Sequence, residues 1–261
     1  MVADWEDVMK SLLSSAIIAL VLGTPHSARA QSEVTLIAPG GIQAAIEQLI
    51  PGFERKTGHK VKATFGSGLG TKAQVTRGEA FDVPIVQPPF PELLASGFVI
   101  PTSATALARV EVGIAVRQGA PKPDISTPEA LRRALMAAKS VAYPNAAGGA
   151  AAGVSFEGTL KKLGIAEPME PKLKRAQGGA GAMAMVAKGE AEIGLTFLSE
   201  MNDPGIDIVG PLPQKVSSPT ALVGFISTHA KDPAAARALL EYLSSPDASA
   251  VYEAHHMRTN H

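Results

Sequence analysis

Cysteine is absent from the 261 residues. That absence excludes a disulfide framework, a thiol nucleophile, a cysteine-ligated metal and a lipid-modified cysteine anchor. Aromatic residues make up 5%, too few for the stacking platforms that hold bases or sugars. An excess of either charge is missing too. The 24 basic and 24 acidic side chains cancel, so no net field draws the chain to anionic lipid or nucleic acid, and no nucleic-acid partner is expected. Long apolar runs are confined to SLLSSAIIALVLG (11–23), so no membrane insertion is expected of the remainder.

What is present begins with a leader. Met9-Lys10 precedes that apolar run, and TPHSARA follows it, with Ala28 and Ala30 as small residues ahead of Gln31. A short basic start, an apolar stretch too brief to span a bilayer and an A-x-A ending describe a secretory signal over residues 1–30. The acidic MVADWEDV before it does not suit a signal, which places the expected start of translation at Met9. Cleavage after Ala30 sends a soluble mature chain to a periplasm.

From Glu33 onward short apolar runs alternate with helical patterns. VTLIA (34–38), KVKATF (60–65), VPIVQ (83–87), SVAYP (140–144) and IGLTFL (193–198) read as strands. IQAAIEQLIPGFERKTG (42–58), GTKAQVTRG (70–78) and PELLASG (91–97) read as helical, with Pro51 expected to break or kink the first. TPEALRRALMAA follows with Ser126 or Thr127 as its cap, then FEGTLKKLGI and a helix opened by QGGAGAM that runs to Lys188. DPAAARALLEYLSS and PDASAVYEAHH are the last two. Strands separated by helices imply parallel pairing with helices on both faces. Two stretches, ARVEVGIAVRQG (108–119) and TALVGFIST (220–228), each read as one long strand, and they bracket the middle block. The expected layout is an α/β chain that builds one lobe from 31–112 and 222–261, a second from 113–221, and crosses between them twice. A ligand cleft then lies between the lobes.

TFGSGLGTKAQV (64–75) holds three glycines in five positions ahead of a lysine. A phosphate-binding P-loop needs its lysine directly after the last glycine, and here Thr71 intervenes. Gly66, Gly68 and Gly70 do not form G-x-G-x-x-G either. What survives is physical: a strand that ends in glycines and opens a helix leaves backbone N–H groups facing outward at a positive dipole end. PGGIQAA (39–45), NAAGGAAAGVS (145–155) and QGGAGAM (177–183) share that pattern. Four such loops divided between two lobes can surround a small anion with backbone donors.

FERKTGHKV, the FGSG…AQV…RGEAFDV block, VAKGEAEIGLTF and KDPAAARALLEYLSSPDASAVYE together resemble the type II periplasmic solute-binding proteins of ABC importers, in their molybdate-binding group. The resemblance covers nearly all of the mature chain. It implies two α/β lobes hinged by two strands, a small anionic ligand, no cofactor, no metal, a monomer, and the membrane subunits of an importer as partners. Where that group holds its oxyanion with two serines and a tyrosine, this chain has Gly41, Gly68 (with Ser67 displaced by one) and Phe197. The group's backbone-donor positions fall near Ala152 and Gly179. Loss of three hydroxyls points away from molybdate and toward a larger organic carboxylate. PDISTPEALRRALMAAKSVAY and GEAEIGLTFLSEM also resemble the periplasmic aconitate isomerases of this fold, which implies as an alternative an enzyme that shifts a proton along an allylic tricarboxylate.

Site candidates are therefore Gly40, Gly41, Ser67, Gly68, Lys72, Asn145, Ala152, Ser155, Gly179 and Phe197. Lys72 is either a carboxylate partner in the cleft or a solvated helix lysine. Glu200 is either a general base at the cleft edge or a solvated carboxylate, and in an isomerase Lys72 and Glu200 are the catalytic candidates. Asn145 and Ser155 either donate to the ligand or cap the next helix. His255 and His256, adjacent on a helix, point in different directions and with His261 make no metal site.

Overall fold

A computed structural model describes residues 32–259. The expected signal segment lies outside the described residues. Ten strands are present among those described: β1 Glu33–Pro39, β2 Lys60–Gly66, β3 Val83–Val86, β4 Thr105–Val110, β5 Val112–Arg117, β6 Val141–Pro144, β7 Leu173–Ala176, β8 Ile193–Phe197, β9 Ile206–Pro211 and β10 Thr220–Gly224. The helices are α1 Gln43–Thr57, α2 Gly68–Thr76, α3 Pro91–Ala95, α4 Pro128–Ala137, α5 Ala151–Lys162, α6 Ala166–Met169, α7 Gly178–Ala187, α8 Pro233–Leu243 and α9 Pro246–Ala254.

The strands form two sheets of five, in the orders β2-β1-β3-β10-β4 and β7-β6-β8-β5-β9. In the first, β1 is parallel to β2 and β3 while β10 runs antiparallel to β3 and β4. The second repeats the arrangement, with β6 parallel to β7 and β8 and β5 antiparallel to β8 and β9. Each parallel set therefore sends all its carboxyl ends to one edge, where the helices begin.

The chain changes sheets at Glu111, a single residue between β4 and β5. Residues 108–119 are thus two strands rather than the one long strand that the β-branched run suggests. Glu111 is buried, its carbonyl accepts from the Leu198 amide at 2.9 Å, and its carboxylate pairs with Arg258 Nε at 2.5 Å. Arg258 in turn exchanges both backbone hydrogen bonds with Arg109. The return crossing lies between β9 and β10. There too the expected long strand is shorter, ending at Gly224, with Ser227 bridging separately to Val99.

Pro51 does not break its helix: α1 runs through it for 15 residues. The proline removes one hydrogen bond to the Glu47 carbonyl, but both residues sit on the exposed face, where water replaces the lost donor. Ala45, Ile46, Leu49 and Phe53 bury the opposite face. Thr127 caps α4 by accepting from the Ala130 amide, and Asp232 caps α8 through the amides of Ala234 and Ala235. α5 begins at Ala151, five residues before the expected Phe156, because alanines in the glycine-alanine loop already favour helix. β7 and β9 have no counterpart in the sequence reading. The exposed Lys174 and Arg175 dilute one, and Gly210-Pro211 ends the other.

One apolar cluster runs through both halves, from Leu36 and Phe53 past Val110 and Val112 to Val141 and Phe156. Leu36 is fully buried in the second-ranked strand of the first sheet's order, between β2 and β3. Leu36→Ala is expected to cost about 2–5 kcal/mol, read as a fall in urea midpoint at unchanged m-value.

Candidate functional site

The carboxyl ends of parallel strands from both sheets meet at one cavity of about 250 Å³. From the first sheet, β1 delivers Pro39, Gly40 and Gly41, β2 delivers Ser67 and Gly68, and β3 delivers Gln87. From the second, β6 leads to Asn145 and the start of α5, β7 to Gln177 and the start of α7, and β8 to Phe197 and Glu200. Ligands of open α/β sheets bind at such strand ends because that is where backbone donors lack partners.

The halves touch around this cavity. The Leu69 amide donates to the Gly149 carbonyl at 3.1 Å, and Ser199 Oγ donates to the Gly41 carbonyl at 2.7 Å. Glycines permit the approach. A Cβ on Gly41 would stand 3.0 Å from the Phe197 ring, and one on Gly68 would lie 2.8 Å from Ala151 Cβ and collide with Gln87 Oε1.

Three helices of nine residues or more, α2, α5 and α7, point their first turns at the cavity, each with about half a positive charge at its N-terminus. Among the described residues no lysine, arginine or histidine lines it. Not every first-turn amide is available to a ligand. In α2 the Leu69 amide is taken by Gly149, the Gly70 amide by Ser67 Oγ and the Thr71 amide by the Ser67 carbonyl. In α5 the amides of Ala151 and Ala152 have no carbonyl of their own helix to reach.

Gly40, Gly41, Ser67, Gly68, Asn145, Ala152, Gly179, Phe197 and Glu200 are thus brought together. Lys72 and Ser155 are not. Lys72 Nζ donates to the carbonyls of Gln87 at 3.4 Å and Pro89 at 3.0 Å, so its charge is spent on a turn behind the cavity. Ser155 lies inside α5, a full turn past the helix start, and caps nothing. Asn145 does cap, accepting from the Ala147 amide at 3.2 Å, yet it also lines the cavity.

Glu200 is the titratable group of the cavity. Burial pushes its carboxyl above the ordinary carboxylate range, against the opposing hydrogen bonds from the Thr196 hydroxyl and the Phe197 backbone. It is wedged between the halves: a Cβ on Gly40 would lie 3.4 Å from Oε1, and one on Gly179 would lie 2.5 Å from Oε2. Such a group holds its proton more tightly than an ordinary carboxylate does.

Sequence reasoning missed Gln87. Its residue is 5% exposed, and among the described residues its Nε2 is the fully buried side-chain polar atom that has no hydrogen-bond partner. Leaving a buried donor unmade costs about 1–3 kcal/mol. Its place directly after the strand VPIV was the available signal, since strand carboxyl ends are where such sites form.

The profile of bacterial extracellular solute-binding proteins matches residues 34–258. The chain belongs to that family. Its two sheets have the type II architecture of the molybdate-binding group. It is 36% identical to the aconitate isomerase of a Pseudomonas species over 253 residues, 91% of this chain and 93% of that protein. It is 30% identical to the molybdate-binding protein ModA of Azotobacter vinelandii over 259 residues, 95% of this chain and 98% of that one. The solved Azotobacter vinelandii periplasmic molybdate-binding protein superposes with a TM-score of 0.72 at 21% identity, covering 87% of this chain and all of that one, a likeness of fold.

Because the folded state holds the Glu200 proton more tightly than the unfolded chain, stability is lost as pH rises above about 4.3, where an ordinary glutamate ionises. Glu200→Gln removes that loss. The variant is expected to gain on the wild type as pH rises above about 4.3 in denaturant melts, and parallel pH profiles would contradict the raised proton affinity of this carboxyl.

Proposed function

We propose that this solute-binding protein is exported to a periplasm, closes its two α/β halves on a small organic carboxylate, and presents it to the membrane subunits of an ABC importer. The observation that carries the reading is the cavity's donor set. Helix N-termini from both sheets supply the attraction, no cation competes, and a ligand bridging them holds the halves shut. The chemistry of the lining favours a carboxylate over a tetrahedral oxyanion. Gly41, Gly68 and Phe197 offer no hydroxyl where an oxyanion would need its shell completed. Each hydrogen bond to a charged group is typically worth about 1.5–3 kcal/mol, so three missing ones weigh heavily against molybdate.

Glu200 favours a second reading. A carboxyl with raised proton affinity lining the cavity is what general acid–base chemistry needs, and the Pseudomonas relative named above is an aconitate isomerase. In that reading Glu200 takes a proton from the methylene beside the double bond of an unsaturated tricarboxylate and returns it at the other end of the three-carbon unit, so the double bond moves and no atom is lost.

The two readings separate in one assay. The mature chain is incubated with cis-aconitate and the trans isomer followed by chromatography, alongside thermal shifts with di- and tricarboxylates, molybdate and sulfate. Turnover at catalytic protein concentration rejects the pure receptor, and Glu200→Gln is then expected to lose at least ~100-fold in rate while still binding. Binding without turnover rejects the isomerase. A thermal shift with molybdate and with no carboxylate rejects both.

A further inference from the structure

We propose that Gln87 is the residue that recognises the ligand, its side-chain Nε2 donating to a carboxylate oxygen in the cavity. Gln87 follows β3, whose four residues are all buried and which lies at the centre of the first sheet between β1 and β10. The residue is therefore delivered to the cavity by a buried strand at the centre of that sheet, and its backbone is held again on the far side. Lys72 Nζ clamps the Gln87 and Pro89 carbonyls, and Pro88 and Pro89 restrict the chain that follows.

The carboxamide is oriented as well as placed. A Cβ on Gly68 would collide with Gln87 Oε1, so the oxygen side of the amide packs against the first residue of α2, in space that only a glycine leaves free. Gln87 lines the cavity, and its Nε2 is buried with no protein acceptor. A glutamine selected only for packing would gain by being apolar, because a neutral isostere avoids the cost of desolvating an unused donor. A donor kept idle in a rigid setting is pre-organised for an acceptor that arrives from outside. Lys72 thereby acquires a different role from the one its charge suggests: it is a positioning residue, acting on the ligand through the turn that carries Gln87.

The choice of a carboxylate as the acceptor rests on the proposed function; the idle amide itself does not. Gln87→Met keeps the side chain's length without its amide, and Gln87→Glu keeps the shape but exchanges the donor for a carboxylate. Ligand-free melting temperatures and affinities for cis-aconitate, tricarballylate, citrate, molybdate and sulfate are measured for both variants and the wild type. Gln87→Met is expected to melt at or above the wild-type temperature without ligand. Both variants are expected to bind the wild type's ligand about tenfold more weakly or worse.

Undiminished binding by Gln87→Met overturns the assignment. So does weaker binding accompanied by a lower ligand-free melting temperature, since the amide is then structural. A wild type that binds molybdate or sulfate and no carboxylate removes the organic-acid reading alone. Gln87 is then judged by the same two readouts with that oxyanion. A wild type that binds none of the five overturns both.

Discussion

Backbone N–H groups at the start of a helix have no carbonyl to reach, and a strand that hands over directly to a helix sets them at the end of a sheet. Two sheets built this way and turned end to end create a pocket whose positive potential comes from the main chain. That constraint organises everything else in this protein. It explains why Gly41 and Gly68 stand at strand ends, where a Cβ would press on Phe197 and Ala151 of the opposite half. It explains why Leu69 and Ser199 can hydrogen-bond across the gap to backbone carbonyls of the opposite half. It explains as well why no lysine or arginine is needed beside the ligand.

A pocket attractive to anions through neutral groups treats a carboxyl differently from one lined by cations. Among the described residues no guanidinium or ammonium lines the cavity, and the hydrogen bonds from the Thr196 hydroxyl and the Phe197 backbone only partly offset the desolvation of Glu200, so its proton affinity is raised. Gln87 extends the same logic from the first sheet: a neutral donor, rigidly held, adding direction to a field that helix N-termini supply without much directionality. Receptor and isomerase differ little in these terms. Both need a closed, dry, donor-lined space, and the enzyme needs in addition one group that exchanges a proton with what is bound.

Much of the architecture was legible in the order of elements. Five apolar runs were read as strands, and each is one; the four glycine-bearing loops were expected together, and residues from all four line one cavity. The failures have local causes. In residues 108–119 buried apolar residues continue on both sides of Glu111, Ala108 and Val110 before it and Val112, Ile114 and Val116 after it, so the switch of sheets leaves no break in the β pattern. Pro51 is tolerated because its side of α1 faces water. Lys72 has the right type and spacing for an anion partner, but the direction of a flexible side chain depends on which carbonyls the fold brings near it.

By itself the sequence determined what depends on neighbours along the chain: alternation of strand and helix, glycine at the strand ends, a cap at Ser126 or Thr127, and the absence of thiol chemistry. These follow from backbone sterics and hydrophobic period, which act over a few residues. Only the tertiary structure decided which donors remain free, that Glu200 is half-buried against Thr196 and Gly179, and that Gln87 is left with an unused amide. Such properties depend on distances between residues far apart in the chain, and burial, which sets the worth of a charge or hydrogen bond, is created when the two sheets meet.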